Sequence, residues 1–224
     1  MSVLALGKIF DSHIYELSSL FLGLSLFAVP LIMWDEWETV KGKYQYLIYT
    51  FIGVAIVSVI TYLNQNSVGS SMDIGNLNIG VCIYVFLVAA IAISAMVLPG
   101  ISGSTLLLIF GLYMPIMTAI RGFLHFDFSY VPILVVFGLG ILTGIFTSIK
   151  LIRKGLKKYR PQMIYLIIGL ILGSLYAIVK GPMTLSVPQP AMTFSTFHPL
   201  FFASAALILI ALQLLKRYLE QKQN

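Results

Sequence analysis

Charge is what this chain has least of: Asp, Glu, Lys and Arg make up 10% of its 224 residues, against 59% hydrophobic ones, and its mean hydropathy is +0.96. Between Lys43 and Arg121 the one formal charge is Asp73. A soluble core needs a polar surface that this composition does not supply. The chain is therefore an integral membrane protein, with room for several spans of the ~20 apolar residues that a ~30 Å hydrocarbon core requires. The single cysteine, Cys82, excludes an internal disulfide; set in an apolar run, it serves packing or faces lipid. No basic region leads into a short apolar run and a small-residue cleavage site, so no cleavable signal peptide is expected. Ser-His-Asp, HExxH, Walker and paired-carboxylate patterns are missing too, and His13, His125 and His198 have no second ligand at metal-binding spacing. The expectation is a protein that is not an enzyme and uses no cofactor or metal. The net charge of +6 does not imply nucleic acid, because no basic face interleaved with aromatics accompanies it. Topology and anionic lipid headgroups account for it better.

What is present is a series of seven hydrophobic segments: Ile14 to Trp34, Tyr44 to Leu63, Ile79 to Leu98, Thr105 to Ile120, Tyr130 to Ile149, Met163 to Val179, and Pro199 to Leu215. They predict an all-α polytopic membrane protein, with about five full transmembrane helices plus a broken or re-entrant helical hairpin around Pro99 to Thr105. Trp34, Trp37, Tyr44 and Tyr46 read as an interfacial belt, and the nearby Asp35, Glu36 and Glu38 as a solvated rim. The Asn64 to Asn78 connection is polar and lacks Lys and Arg, as a translocated loop would be. The Lys150 to Gln162 connection carries Lys150, Arg153, Lys154, Lys157, Lys158 and Arg160, which makes it cytoplasmic by the positive-inside rule. If the segments on either side of Pro99 enter and leave by one face, or make two complete spans, then Lys41, Lys43 and the C-terminal basic residues also fall inside. Lys8, Arg121 and Lys180 then fall outside. Counting the pair as one crossing places one basic residue fewer inside.

An offset of 146 residues sets Gly23 on Gly169, and Leu17 to Leu26 on Met163 to Leu172. Under that offset the chain is an incomplete inverted repeat. Residues 1–63 are the remnant of a first copy and residues 79–215 a second copy with the broken-helix motif. The counterpart of Pro99 falls before residue 1, so the first copy's hairpin is expected to be missing. Inverted repeats with discontinuous helices at their interface are a recurrent transporter plan.

The break itself reads Pro99-Gly100-Ile101-Ser102-Gly103-Ser104-Thr105. Pro99 has no N–H to donate and the glycines resist helical order, so no regular helix continues through it. Broken backbone at membrane depth is tolerated only where protein covers it or a wet cavity lies beside it. Ser102, Ser104 and Thr105 suit the N-cap of a helix running from about Thr105 toward Ile120. Free N–H groups, a positive dipole end and hydroxyls together would hold an anion such as phosphate. A plain bent helix with Ser and Thr caps is the competing reading, on about even terms. A straight helix would leave Arg121 ~24 Å from the motif. Gly140 with Gly144, and Gly169 with Gly173, read as helix-packing pairs. Glu16 reads as a snorkelling carboxylate ahead of a proton relay.

The run Val97 to Thr105, followed by Leu106 to Leu108 and Gly111-Leu112-Tyr113, resembles the polyprenyl-phosphate transporter family of bacteria and archaea. Members carry two Pro-Gly-Val/Ile-Ser-Gly-Gly/Ser motifs, one per half, and Met163 to Ser174 is similar to the span that follows the second. The resemblance implies translocation, or recycling, of undecaprenyl phosphate across the cytoplasmic membrane as a multi-pass flippase serving cell-wall assembly. It implies substrate contacts at Gly100, Ser102, Gly103, Ser104 and Thr105. The partners expected are a polyprenyl-phosphate lipid and the bilayer, with no nucleic acid; a homo-oligomer is left open. The first motif has no counterpart here, so the chain looks like a member lacking an N-terminal segment of roughly 50 to 70 residues. Two alternatives stand beside this: a carrier of small anions or metabolites, and a non-transporting scaffold or inactive truncated product.

Overall fold

The computed structural model describes residues 13–66, 78–184 and 189–223, and every regular element among them is helical. Six helices are long and apolar enough to cross a membrane. They are α1 (Ile14–Asp35), α3 (Leu47–Asn66), α4 (Ile79–Met96), α7 (Val131–Lys158), α8 (Arg160–Lys180) and α9 (Pro199–Gln223). The single turn α2 (Trp37–Val40) links α1 to α3, and α5 (Gly103–Ile109) and α6 (Tyr113–Leu124) form a pair bent by 108°. The all-α polytopic expectation therefore holds, with Ile79–Met96 a full-length helix in its own right. Lys8, Asp73 and most of the Asn64 to Asn78 connection lie outside the described residues.

The most extensive packing joins helices distant in sequence, in three parallel pairs: α1 with α9, α3 with α8, and α4 with α7. Lipid supplies no hydrophobic drive between helices, so close backbone approach at small residues has to hold them. A Cβ added at Gly140 would lie 2.6 Å from the Phe86 carbonyl oxygen, and one at Gly144 would lie 2.6 Å from that of Ala90. Gly169 lies against the backbone of Thr50, and Gly173 against Val54 and Val57. In both pairs the contacts advance together along the two chains, which makes the helices parallel. Gly23 packs in the same way against Phe202 and Ala205. Ser19, fully buried, accepts from the His198 N–H at 3.0 Å and fixes the start of α9 against α1.

Two ion pairs gather the connections at one end of the bundle. Arg160 donates to both carboxylate oxygens of Glu36, at 2.6 and 3.0 Å, and the Lys216 ammonium lies 3.3 Å from Asp35. The 36–46 connection, the α7–α8 turn and the C-terminal end of α9 thus share one end. Two of the three acids of the cluster, Asp35 and Glu36, are thus ion-paired, and Trp34, Trp37 and Tyr44 are exposed beside them. At the opposite end Glu16, in the first turn of α1, lies 3.9 Å from His13.

One connection differs from expectation. Lys150 to Gln162 is not a loop, because α7 continues to Lys158 and Tyr159 alone separates it from α8. Lys, Arg and Leu are good helix formers, and they carry the ladder through the single Gly155 to Lys158. The stop is set by Pro161, which takes a first-turn position of α8, where its missing N–H costs nothing.

Candidate functional site

At the end of α4 the helical ladder closes with the Val97 and Leu98 N–H groups bonded back to Ile93 and Ala95, after which Pro99 ends it. Gly100 then turns the chain with φ +89°, a left-handed value that only glycine adopts without strain. The turn is pressed into α8: a Cβ at Gly100 would sit 2.6 Å from the Leu170 carbonyl oxygen and 3.0 Å from the Ser174 Cβ. Gly103 is buried under the Ala92 carbonyl and the Met96 side chain, so α5 folds back along α4. Leu170 lies ten residues into α8, which places the turn ~15 Å below the level where that helix starts.

Ser102 is the N-cap residue of α5, in extended backbone at φ −94°, but its hydroxyl does not cap the helix. It pairs with the Ser104 hydroxyl instead, Oγ to Oγ 2.8 Å, and both side chains are exposed. Thr105 is half-buried in the first turn. The first backbone bond of α5 runs from the Leu106 N–H to the Ser102 carbonyl, so the N–H groups of Gly103, Ser104 and Thr105 precede the ladder. The five expected residues are thus gathered on one tight turn. Residues 79–120 carry no formal charge, so the turn's own donors are hydroxyl and amide groups.

The helix expected from Thr105 to Ile120 is not continuous. It stops at Ile109, and the chain bends by 108° into α6. The stop is a Schellman motif: Gly111, φ +67°, donates to the Leu108 carbonyl at 3.0 Å, and Leu112 donates to that of Leu107 at 2.8 Å. Leu112 is completely buried with Val85, Val88, Ile116, Ala119 and Ile133, which anchors the bend in the α4–α7 core. The Tyr84 hydroxyl donates to the Phe110 carbonyl at 2.9 Å and satisfies one orphan group of the α5 terminus. With seven residues, α5 develops only part of a long helix's dipole, so the hydroxyls weigh more than the macrodipole expected from sequence. The straight-helix separation of Arg121 does not apply across this bend. Leu170 and Ser174, the wall behind Gly100, carry no signal in the motif itself.

No solved structure matches this chain. It is 34% identical over 187 residues to a protein of Staphylococcus aureus named polyprenyl-phosphate transporter, covering 80% of this chain and 65% of that one. It is 38% identical over 104 residues to a Vibrio cholerae protein of the same name, covering 46% of this chain and 32% of that one. The chain thus spans less than two thirds of the length of either relative. A profile described as undecaprenyl phosphate translocase-like matches residues 1–197. With that profile covering the glycine-serine turn, its α8 wall and five of the six long helices, the chain belongs to the undecaprenyl phosphate translocase-like family.

Proposed function

We propose that this chain moves a polyprenyl phosphate across the bilayer, holding the phosphate at the turn formed by Gly100, Ser102, Gly103, Ser104 and Thr105. The observation that carries this reading is an interrupted backbone between apolar helices that presents two exposed, mutually bonded hydroxyls and three unladdered N–H groups within a stretch, residues 79–120, that carries no formal charge. A phosphate monoester matches that donor set, and glycine at two positions lets it approach the main chain. The names of the two relatives support the substrate class. Within this reading the lipid is undecaprenyl phosphate, returned to the cytoplasmic leaflet of the cell membrane by alternating exposure of the turn. The end of the bundle that holds the basic residues faces the cytoplasm.

The reading includes an inverted repeat. Advancing α1 by 146 residues brings Ile14 to Arg160 and Asp35 to Gly181, close to the bounds of α8, and the Glu36–Arg160 pair has the two helices running in opposite directions. The contact of α1 with α9 at Gly23 is then the counterpart of the contact of α8 with α3 at Gly169.

The test compares leaflet-specific undecaprenyl phosphate in cells expressing the full protein or its Ser102→Ala/Ser104→Ala variant. The variant is expected to accumulate the lipid phosphate in the outer leaflet; equal distributions would remove the turn from the mechanism. Competition by short-chain phosphates as strong as that by the polyprenyl lipid would instead favour a small-anion carrier.

A further inference from the structure

We propose that the C-terminal third of α7 is a docking strip for anionic phospholipid headgroups, separate from the glycine-serine turn and independent of the transported lipid. Lys150, Arg153, Lys154, Lys157 and Lys158 recur at i, i+3, i+4, i+7 and i+8, which places all five cations on one stripe of a continuous helix. Together they line one open, solvent-facing surface patch. Ile149, Ile152 and Leu156 occupy the opposite side, so the segment is amphipathic.

Depth follows from length. The 28 residues of α7 extend ~42 Å at 1.5 Å each, against a ~30 Å hydrocarbon core. From Val131 to Ile149 there is no charge, and those residues take up that core; Lys150 begins where headgroups begin. The stripe is costly to the chain alone, since like charges at i, i+4 repel along a helix. Among the described residues no ion pair offsets it. The acids Asp35 and Glu36 at this end are engaged by Lys216 and Arg160, and none of the five cations enters an ion pair among the described residues. The Lys158 ammonium lies over the Tyr159 ring at 5.3 Å, which stabilises a cation without neutralising it. In this proposal the compensating charge comes from outside the chain, from the phosphates that surround the helix at this depth.

The experiment titrates the purified full chain in neutral detergent with phosphatidylglycerol, phosphatidylcholine or inorganic phosphate, reading lipid retained on gel filtration and the midpoint of thermal unfolding. Phosphatidylglycerol is expected to bind and to raise the midpoint, and to weaken as salt rises from about 0.05 to about 0.5 M. The Lys154→Gln/Lys157→Gln/Lys158→Gln variant should bind it roughly ten- to a hundredfold less well, and the corresponding triple Arg variant should restore binding. Equal retention by the wild-type chain and the Gln variant would overturn the proposal. So would equal binding of phosphatidylcholine, or displacement by inorganic phosphate at comparable concentration, which would mark a free-anion site. Should the Gln variant fail to fold, the salt titration and the Arg variant still decide the matter.

Discussion

Gly100 and Leu170 approach so closely that a methyl group on Gly100 would lie 2.6 Å from the Leu170 carbonyl oxygen. Because φ at Gly100 is also +89°, Gly100→Ala meets both backbone strain and a collision with main chain, which cannot rotate away. We expect a loss of about 1–3 kcal/mol, seen as a lower unfolding midpoint in detergent. Ser102→Ala, at an exposed hydroxyl, should leave the midpoint within about 0.5 kcal/mol of wild type. A Gly100→Ala protein as stable as wild type would mean that the turn is not seated on α8.

Gly111 sets the 108° bend, and its φ of +67° ranks its replacements. Asn should be tolerated best, Ala should cost about 1 kcal/mol, and Val more, since a β-branched side chain is poorly accommodated there. Thermal unfolding of the three variants checks the order. Equal midpoints would show that the Schellman stop does not control the bend.

The α3–α8 crossing depends on backbone contact more than on hydrogen bonding. Gly169→Ala pushes directly on the Thr50 main chain and should cost about 1–3 kcal/mol. Thr50→Ala removes one bond, from the Thr50 hydroxyl to the Tyr165 carbonyl at 2.9 Å, and should cost about 0.6 kcal/mol. Combining the two should not rescue Gly169→Ala, because the obstacle is backbone. A double variant more stable than Gly169→Ala alone would contradict this.

The Arg160 guanidinium, helped by the Thr39 hydroxyl, holds the Glu36 carboxyl below its ordinary value. A lowered carboxyl contributes stability that is present above the ordinary value, about 4.3, and is lost as pH falls through the lower folded one. The pair is partly exposed, so its contribution is at most about 1 kcal/mol. Glu36→Gln should lose that much at neutral pH and flatten the acid limb of the stability profile. An unchanged acid limb would place the titration elsewhere.

The long helices were legible because ~20 uncharged apolar residues leave the chain few other options. The turn at Pro99 to Ser104 was legible for the opposite reason, as polar and helix-breaking residues interrupting that pattern. Gly111 was not: it lies between Phe110 and Leu112, and hydropathy passes over it without change, so one helix was expected where there are two. The helical run through Lys158 was hidden because charge density resembles a loop in composition but not in propensity. Nor did the motif reveal its own wall. Leu170 and Ser174 meet Gly100 from about seventy residues further along the chain, and that contact belongs to packing between distant segments.

The parallel pairing of α1 with α9 has a consequence for biogenesis. The groove of α1 around Ser19 and Gly23 is filled by residues of α9, which leave the ribosome roughly 180 residues later. Until then that groove is uncovered, although α1 already meets α8, where Arg160 pairs with Glu36. Insertion of α1 and completion of its packing are thereby separated in time, and the groove of α1 closes only when α9 arrives. A ribosome stalled before Pro199 would leave a membrane-inserted chain with an open side, a natural substrate for membrane quality control.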